Sequence, residues 1–429
     1  NYGGKDVSVT EYTMSEIIAS VYDCMRTTGK TQGILFLDEI NCVSETLSPA
    51  MLLFLQYKVF GGHQIPEGWV VVTAGNPPRF NKSVREFDAA TRDRLKVIEV
   101  EPSYEAWKAY ALEHGVSRSV ISYLDIRPED FYKVETTVDG LTVVTPRAWE
   151  DLSEILQYHE ELGLAVSEEL TTQYLQNKQV ARDFAIYYEL YQKYRQAYNI
   201  DAILQGVWNE DVLTQARSAK MDERMSLVSL LLAGLDTRFT ASLQADSVAD
   251  ACYAFLRETK KALATLPEDI PDGSAELFSQ QIKDYETETQ QKRDAGLLGK
   301  AELTNRLQVQ AALHQWEGEL RRANAAGTQE AFDLLRGQFR ALADQREATQ
   351  KTAAAALEAA FDFMEQAFAE SQEMVVFVTE LTVNPASHQF LTENGCERYF
   401  KYNKDLLLDH RKAALQQELA AEQRRHGGV

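Results

Sequence analysis

The 429-residue chain is poor in the residues that build disulfide frameworks and metal centres. Its four cysteines are scattered and include no C-x-x-C pair, and its seven histidines include no pair at i, i+4 spacing. This distribution argues against a zinc site and is typical of a reducing compartment, so we expect a cytoplasmic protein.

Positive charge and long apolar runs are also scarce. The chain has 44 Lys and Arg against 65 Asp and Glu, which gives a net charge of −21. Because binding to a phosphate backbone needs a basic face, we expect no nucleic acid partner. No apolar stretch approaches the ~20 residues that cross a bilayer, so we expect no membrane span. The length leaves room for about two or three domains.

Two apolar runs near the beginning of the chain end in polar residues. Residues Ile34–Leu37 lead directly into the carboxylates Asp38 and Glu39, and the run Trp69–Ala74 is soon followed by Asn76. Short unbroken apolar runs indicate strands that are buried on both faces, as in a parallel sheet. Ligands of such sheets bind at the carboxyl ends of the strands, so we expect the three polar side chains to share one edge.

A third apolar run, Val97–Val100, predicts another strand and follows a basic segment that holds Arg92 and Arg94. An acid pair, an amide and arginines, in this order on successive strands, form a more specific constellation than any of them alone. Ion pairs with Asp88 or Asp93 are the structural alternative for the two arginines.

The segments LFLDEIN, IPEGWVVVTAGNPP and REFDAATRDRL, which carry these residues, resemble motifs of the AAA+ ATPases, and within them the MoxR-type branch. The resemblance covers residues 1 to about 158, and no motif is recognisable beyond about residue 199. It implies a partial α/β core with a parallel sheet over residues 1–101, followed by an all-α lid over residues 102–200.

The resemblance implies a role for each polar residue of the core. Asp38 would hold Mg²⁺ through water, and Glu39 would orient or deprotonate the attacking water. Asn76 would bridge that water and the terminal phosphate of ATP. Arg94 is the expected arginine finger, which acts in trans on a neighbouring subunit, and Arg92 is the other candidate for that role.

Arg147 is a further candidate for nucleotide binding. Thr145 and Pro146 indicate the N-cap and first position of a helix, so Arg147 lies in its first turn. A cation there interacts unfavourably with the helix dipole and lowers helix stability by ~0.3–1 kcal/mol. In the family, an arginine near the start of a lid helix, called sensor 2, reaches the nucleotide. A solvated surface arginine is the equal alternative.

The phosphate-binding loop of the family is missing from the sequence. Such a loop reads G-x-x-x-x-G-K-[ST], and the segment Gly29–Thr31 matches only its tail, because Cys24 occupies the earlier glycine position. We expect that the chain, which begins at Asn1, is incomplete and lacks this loop; a degenerate ATPase that has lost the loop is the alternative. Either way, we expect no appreciable ATP hydrolysis by this chain alone.

The rest of the chain is helical in pattern. Residues 201–273 read as a helical connector that ends in the linker Pro267–Ser274, and residues 274–429 read as a helical bundle or hairpin of unknown role. The β-branched run Glu373–Glu380 is interpreted as a buried helix within it.

The function implied by the resemblance is ATP-driven remodelling or activation of a protein substrate, with ATP and Mg²⁺ as cofactors. MoxR-type relatives imply a ring, expected to be a hexamer, which often works with a von Willebrand factor A domain protein. The alternative is a non-catalytic adaptor, in which a degenerate ATPase fold displays the helical C-terminal half.

Overall fold

The computed structural model describes residues 16–43, 46–60, 63–77, 92–93, 95–137, 140–266, 273–323 and 327–404. The chain divides into two compact units, Asn1–Glu101 and Pro102–Val429. Each unit has its own hydrophobic core.

The first unit contains a parallel pair of strands. Its elements in chain order are α1 (Glu16–Thr28), β1 (Gly33–Leu37), α2 (Ser48–Tyr57), β2 (Val59–Phe60), β3 (His63–Gln64) and β4 (Trp69–Thr73). Strands β1 and β4 are parallel, with Gly33 opposite Trp69 and Leu37 opposite Thr73. Strands β2 and β3 form a short antiparallel hairpin. Because parallel strands need a crossover connection, α2 and the hairpin lie between β1 and β4 in the chain.

Helix α1 shows how the sequence sets an element boundary. Ile18 and Val21 are buried on its core-facing side. The helix stops at Gly29, whose amide donates to the carbonyl oxygen of Met25 at 2.9 Å and whose φ is +69°. Glycine favours this left-handed conformation because it has no Cβ, so it ends the helix at little cost.

The expectation that the strands are buried on both faces is wrong. Leu35, Leu37 and Val71 pack on the core that α1 and α2 cover, whereas Ile34 and Phe36 on the other face are 68% and 58% exposed. Successive side chains of a strand point to opposite faces, and helices cover only one face in the part of the chain that the structure describes. An unbroken apolar run cannot distinguish one-sided from two-sided cover.

The third predicted strand is also wrong. Residues 97–100 have irregular backbone, and the side chains of Ile98 and Val100 are 84% and 89% exposed. A β-branched run forms a strand only when another strand offers its free edge. Over the described ranges the parallel sheet therefore has two strands, and a complete parallel-sheet core is not seen there.

The second unit begins with helices and one hairpin. Its first elements are α3 (Tyr104–Glu113), α4 (Arg118–Ile126), β5 (Lys133–Thr137), β6 (Gly140–Val144), α5 (Pro146–Leu162), α6 (Glu168–Tyr174) and α7 (Lys178–Tyr198). The antiparallel pair β5–β6 corrects the expectation of an all-α lid over residues 102–200. Both strands are rich in Val and Thr, which favour strands where a hairpin lets them pair.

In the residues that the structure describes, the remainder of the second unit is built of helices and their short connections, which confirms the expected long all-α C-terminal region. Its elements are α8 (Ile200–Leu204), α9 (Glu210–Ser218), α10 (Met221–Leu263), α11 (Gly273–Asp294), α12 (Lys300–Ala323), α13 (Thr328–Phe368), α14 (Gln372–Val383) and α15 (Pro385–Asn394). Residues 397–404 are helical as well. Helix α14 confirms the buried helix predicted at Glu373–Glu380, and most of the predicted linker lies outside the described residues.

Helices α10 and α13 organise this region because each passes through two hydrophobic clusters. The first half of α10 packs with the second half of α13, α14 and α15 around Phe361 and Phe377. The second half of α10 packs with α11, α12 and the first half of α13 around Phe278 and Trp316. Among the described residues, no helix combines the length and apolarity that a bilayer crossing requires.

Within the second unit, an ion cluster joins α3 and α4 to the C-terminal helices. The Nζ of Lys108 lies 2.7 Å from Oδ1 of Asp125 and 2.5 Å from Oε1 of Glu380. Arg118 lies 3.7 Å from Glu380 and 3.8 Å from Asp236. The side chains of Lys108, Arg118 and Glu380 are only 10–13% exposed, so they are shielded from water and held mainly by one another.

Candidate functional site

The polar residues predicted to act together follow the two parallel strands. Both strands end at the same height in the sheet, because their last residues, Leu37 and Thr73, lie opposite each other. Backbone hydrogen bonds continue beyond these residues. The amide of Ala74 donates to the carbonyl oxygen of Leu37 at 3.0 Å, and the amide of Ile40 donates to that of Ala74 at 3.1 Å. Asp38 and Glu39 on one side and Asn76 on the other thus lie at the same end of the strand pair.

The Asp38–Glu39 turn has an unusual backbone. Glu39 adopts φ 50° and ψ 37°, the left-handed conformation. Oδ1 of Asp38 accepts a hydrogen bond from the amide of Glu39 at 2.8 Å, which supports this sharp turn. A left-handed non-glycine residue costs about 1–3 kcal/mol, and such residues cluster at active sites. They also end helices, as Lys58 and Asn199 do in this chain. Both carboxylates are exposed at the mouth of the turn.

Asn41 joins the two loops and was not given a role by the sequence pattern. It lies in a short 3₁₀ turn, Ile40–Cys42, and its Nδ2 donates to the backbone oxygen of Asn76 at 2.8 Å. The available signal was the presence of an asparagine in each of the two segments that follow the strands, beside Gly75. That signal has no meaning until the strands are known to be neighbours.

Two of the three arginine candidates lie among the described residues. Arg94, the predicted finger, lies outside the described residues, while Arg92 is described and exposed. Arg147 belongs to the second unit, where it is exposed in the first turn of α5. The predicted cap of that helix is confirmed, because Oγ1 of Thr145 accepts a hydrogen bond from the amide of Ala148 at 3.2 Å.

The donor set at the strand ends suits a hydrated cation. Over the described ranges no three His, Cys, Asp or Glu side chains converge as metal ligands. Mg²⁺ keeps several waters and is commonly held by one or two carboxylates together with substrate phosphates. The exposed carboxylate of Asp38, fixed by the Glu39 amide, fits such outer-sphere binding.

The described cysteine thiols buried in the second unit are not activated for chemistry. Burial raises the pKa of Cys252 to about 12, and burial together with nearby Glu358 raises the pKa of Cys396 to about 11. A thiol becomes a nucleophile only as the thiolate, so these two side chains serve as core. The tyrosine-rich face of α7 is core too, and burial raises the pKa of Tyr187 to about 12.

Comparison of the chain with models of known protein families, with characterised proteins and with solved structures finds no match. Function is therefore inferred from the residues at the strand ends.

Proposed function

We propose that the first unit is part of an ATP-hydrolysing centre of the AAA+ type, in its MoxR-like form. The observation that carries the proposal is the parallel pairing of β1 and β4, which brings an acid pair and an asparagine to the carboxyl end of the same two strands. Parallel α/β sheets bind their ligands at this edge.

In this proposal each side chain has a distinct task. Glu39, exposed on its left-handed turn, orients the attacking water or accepts its proton. Asn76 contacts that water and the terminal phosphate, and Arg94 stabilises charge on the phosphate of a neighbouring subunit. Arg147 is proposed to contact the nucleotide.

Asp38 would hold Mg²⁺ through water at this site. Bound there, the cation would neutralise phosphate charge that builds up during hydrolysis. No phosphate-binding loop occurs in the 429 residues, so the proposal requires this loop from polypeptide outside them.

At the level of the whole protein, we propose a cytoplasmic hexameric ring that uses ATP to remodel or activate a protein substrate. A von Willebrand factor A domain protein is the proposed working partner. The helices that the structure describes after residue 200 are long enough to present a large surface to such proteins.

The test replaces Glu39 by Gln in the natural full-length protein. ATP hydrolysis should fall by about 10²–10⁴-fold, because the water loses its orienting carboxylate, while ATP still binds. Glu67→Gln is the matched control, since Glu67 is an exposed glutamate just before the start of β4, at the opposite end of the strand pair. Hydrolysis by Glu39→Gln at the level of Glu67→Gln would refute the proposal.

The missing phosphate loop also favours a second candidate, a non-catalytic adaptor that displays the helical region. The two functions differ in nucleotide binding by the natural full-length protein. Binding of Mg-ATP followed by release of phosphate supports the enzyme, and failure to bind nucleotide supports the adaptor.

A further inference from the structure

The side-chain amide of Asn41 bridges the two loops that carry the proposed catalytic residues. It follows the Asp38–Glu39 turn directly, on the 3₁₀ turn after β1, and reaches across to the backbone of Asn76 after β4. The bond of 2.8 Å joins Nδ2 of Asn41 to the carbonyl oxygen of Asn76. This side-chain hydrogen bond adds to the two backbone hydrogen bonds that already join the ends of β1 and β4.

The polarity of this amide is determined by its partner. A carbonyl oxygen only accepts hydrogen bonds, so the NH₂ group of Asn41 must face Asn76. Oδ1 is then buried on the side of Gly75 and has no hydrogen-bond partner among the described residues. A purely structural position would be better filled by an apolar side chain of similar size, because a buried unpaired acceptor lowers stability.

Gly75 makes room for the amide. A Cβ atom at this position would lie 2.3 Å from Oδ1 and 2.7 Å from Cγ of Asn41. Any other residue at position 75 would therefore displace the Asn41 side chain from the position in which it bonds to Asn76. The two positions depend on each other through contact, although they are far apart in the sequence.

We propose that Asn41 is a positioning residue, which holds the Asn76 loop in register with the Asp38–Glu39 turn. This inference rests on the proposed function. Asn41 itself does not touch the nucleotide in this scheme; it determines where the side chain of Asn76 stands relative to Glu39. A shift of such a loop by about 1 Å can cost about 10²-fold in rate without weakening substrate binding.

The experiment measures kcat and the Kd for Mg-ATP in the natural full-length protein for Asn41→Ala and Asn41→Asp. The aspartate has nearly the same volume but offers no donor to the carbonyl oxygen of Asn76. In both variants kcat should fall by about 10²-fold, with the Kd for ATP little changed. Asn305→Ala is the matched control, because Asn305 also donates an amide bond, to Ser247 at 3.1 Å, but from α12 of the second unit.

Double variants separate positioning from a general loss of structure. If Asn41 acts through Asn76, the pair Asn41→Ala and Asn76→Ala should be no slower than the slower single variant. Gly75→Ala should reproduce the Asn41→Ala defect, and combining these two should add little, because the new methyl group then has room.

The outcomes distinguish the inference from the function on which it rests. Unchanged hydrolysis by Glu39→Gln, or none by the wild-type full-length protein, overturns the proposed function and this inference together. Loss of hydrolysis in Glu39→Gln, with wild-type kcat in both Asn41→Ala and Asn41→Asp, overturns the inference alone. Multiplying defects of Asn41→Ala and Asn76→Ala would also overturn it.

Discussion

The first unit packs one face of a two-stranded sheet, whereas the second packs its helices into three hydrophobic clusters, which centre on Trp149, Phe278 and Phe361. Ile34 and Phe36 stay exposed in the first unit, while Phe184, Phe361 and Phe377 are fully buried in the second. Asp38, Glu39 and Asn76, which are proposed to act on ATP, lie in loops of the less covered unit. Loops with few packing constraints can carry reactive groups, and large cores supply the free energy of folding.

The largest expected effect concerns the chemistry assigned to the first unit. Arg94→Ala in the natural full-length protein should lower hydrolysis by about 10³-fold or more, while each subunit still binds ATP, because a finger serves the neighbouring site. The same measurement on Arg92→Ala decides which arginine has this role.

Mixed rings sharpen this test. Rings that contain both Arg94→Ala and Glu39→Gln subunits should recover part of the activity, since some interfaces then combine an intact Glu39 with an intact Arg94. If rings shown to be mixed recover nothing, Arg94 acts within its own subunit or only supports the fold.

The next effect contrasts the two cores directly. Phe361→Ala should lower the free energy of unfolding of the second unit by about 3–5 kcal/mol, because Phe361 is fully buried. Phe36→Ala should change the stability of the first unit by no more than about 0.5 kcal/mol, because its ring is 58% exposed. Amide hydrogen exchange measured at increasing urea concentration gives the stability of the second unit from α13 and that of the first unit from β1. A large effect of Phe36→Ala would mean that its face is covered in solution.

A somewhat smaller loss is expected from the ion cluster around Lys108. Lys108→Met leaves Asp125 and Glu380 without their shared cation, and breaking a buried pair costs about 3 kcal/mol. Lys261→Met is the control, since Lys261 is 67% exposed and its pair with Glu258 lies on the surface. Equal denaturation midpoints for the two variants would show that water reaches the cluster.

The smallest effect is a pH dependence in the second unit. The pKa of His314 is raised above its usual 6.5, mainly by a hydrogen bond with Glu286. In this bond, Nε2 of His314 lies 2.7 Å from Oε1 of Glu286. A raised folded-state pKa adds stability that is complete below pH 6.5 and is lost as the pH rises through the folded-state value. His314 is 50% exposed, so water screens the pair and the effect should stay within about 0.2–1 kcal/mol.

Melting temperatures of the wild type and His314→Gln, measured across this pH range, check the prediction. The difference between them should shrink as the pH rises and should also shrink in high salt. A constant difference would show that the imidazole contributes only packing.

Local patterns predicted some elements and failed at others for an identifiable reason. The run Glu373–Glu380 forms a buried helix as expected, although its β-branched residues alone would favour a strand. Val97–Val100 shows the reverse, because its composition predicted a strand that has no partner in the described structure. A local pattern indicates which backbone conformation the residues prefer. Whether they form a strand depends on a neighbouring strand with which they can pair.

The sequence by itself determined that β1 and β4 are strands and that an acid pair follows one and an amide the other, because these features depend on neighbours along the chain. Only the tertiary structure decided which sheet face is covered and that Asn41 reaches Asn76. It also decided that Lys108 meets Glu380, 272 residues away. Burial and such pairings depend on contacts between distant segments, which local residue preferences do not encode.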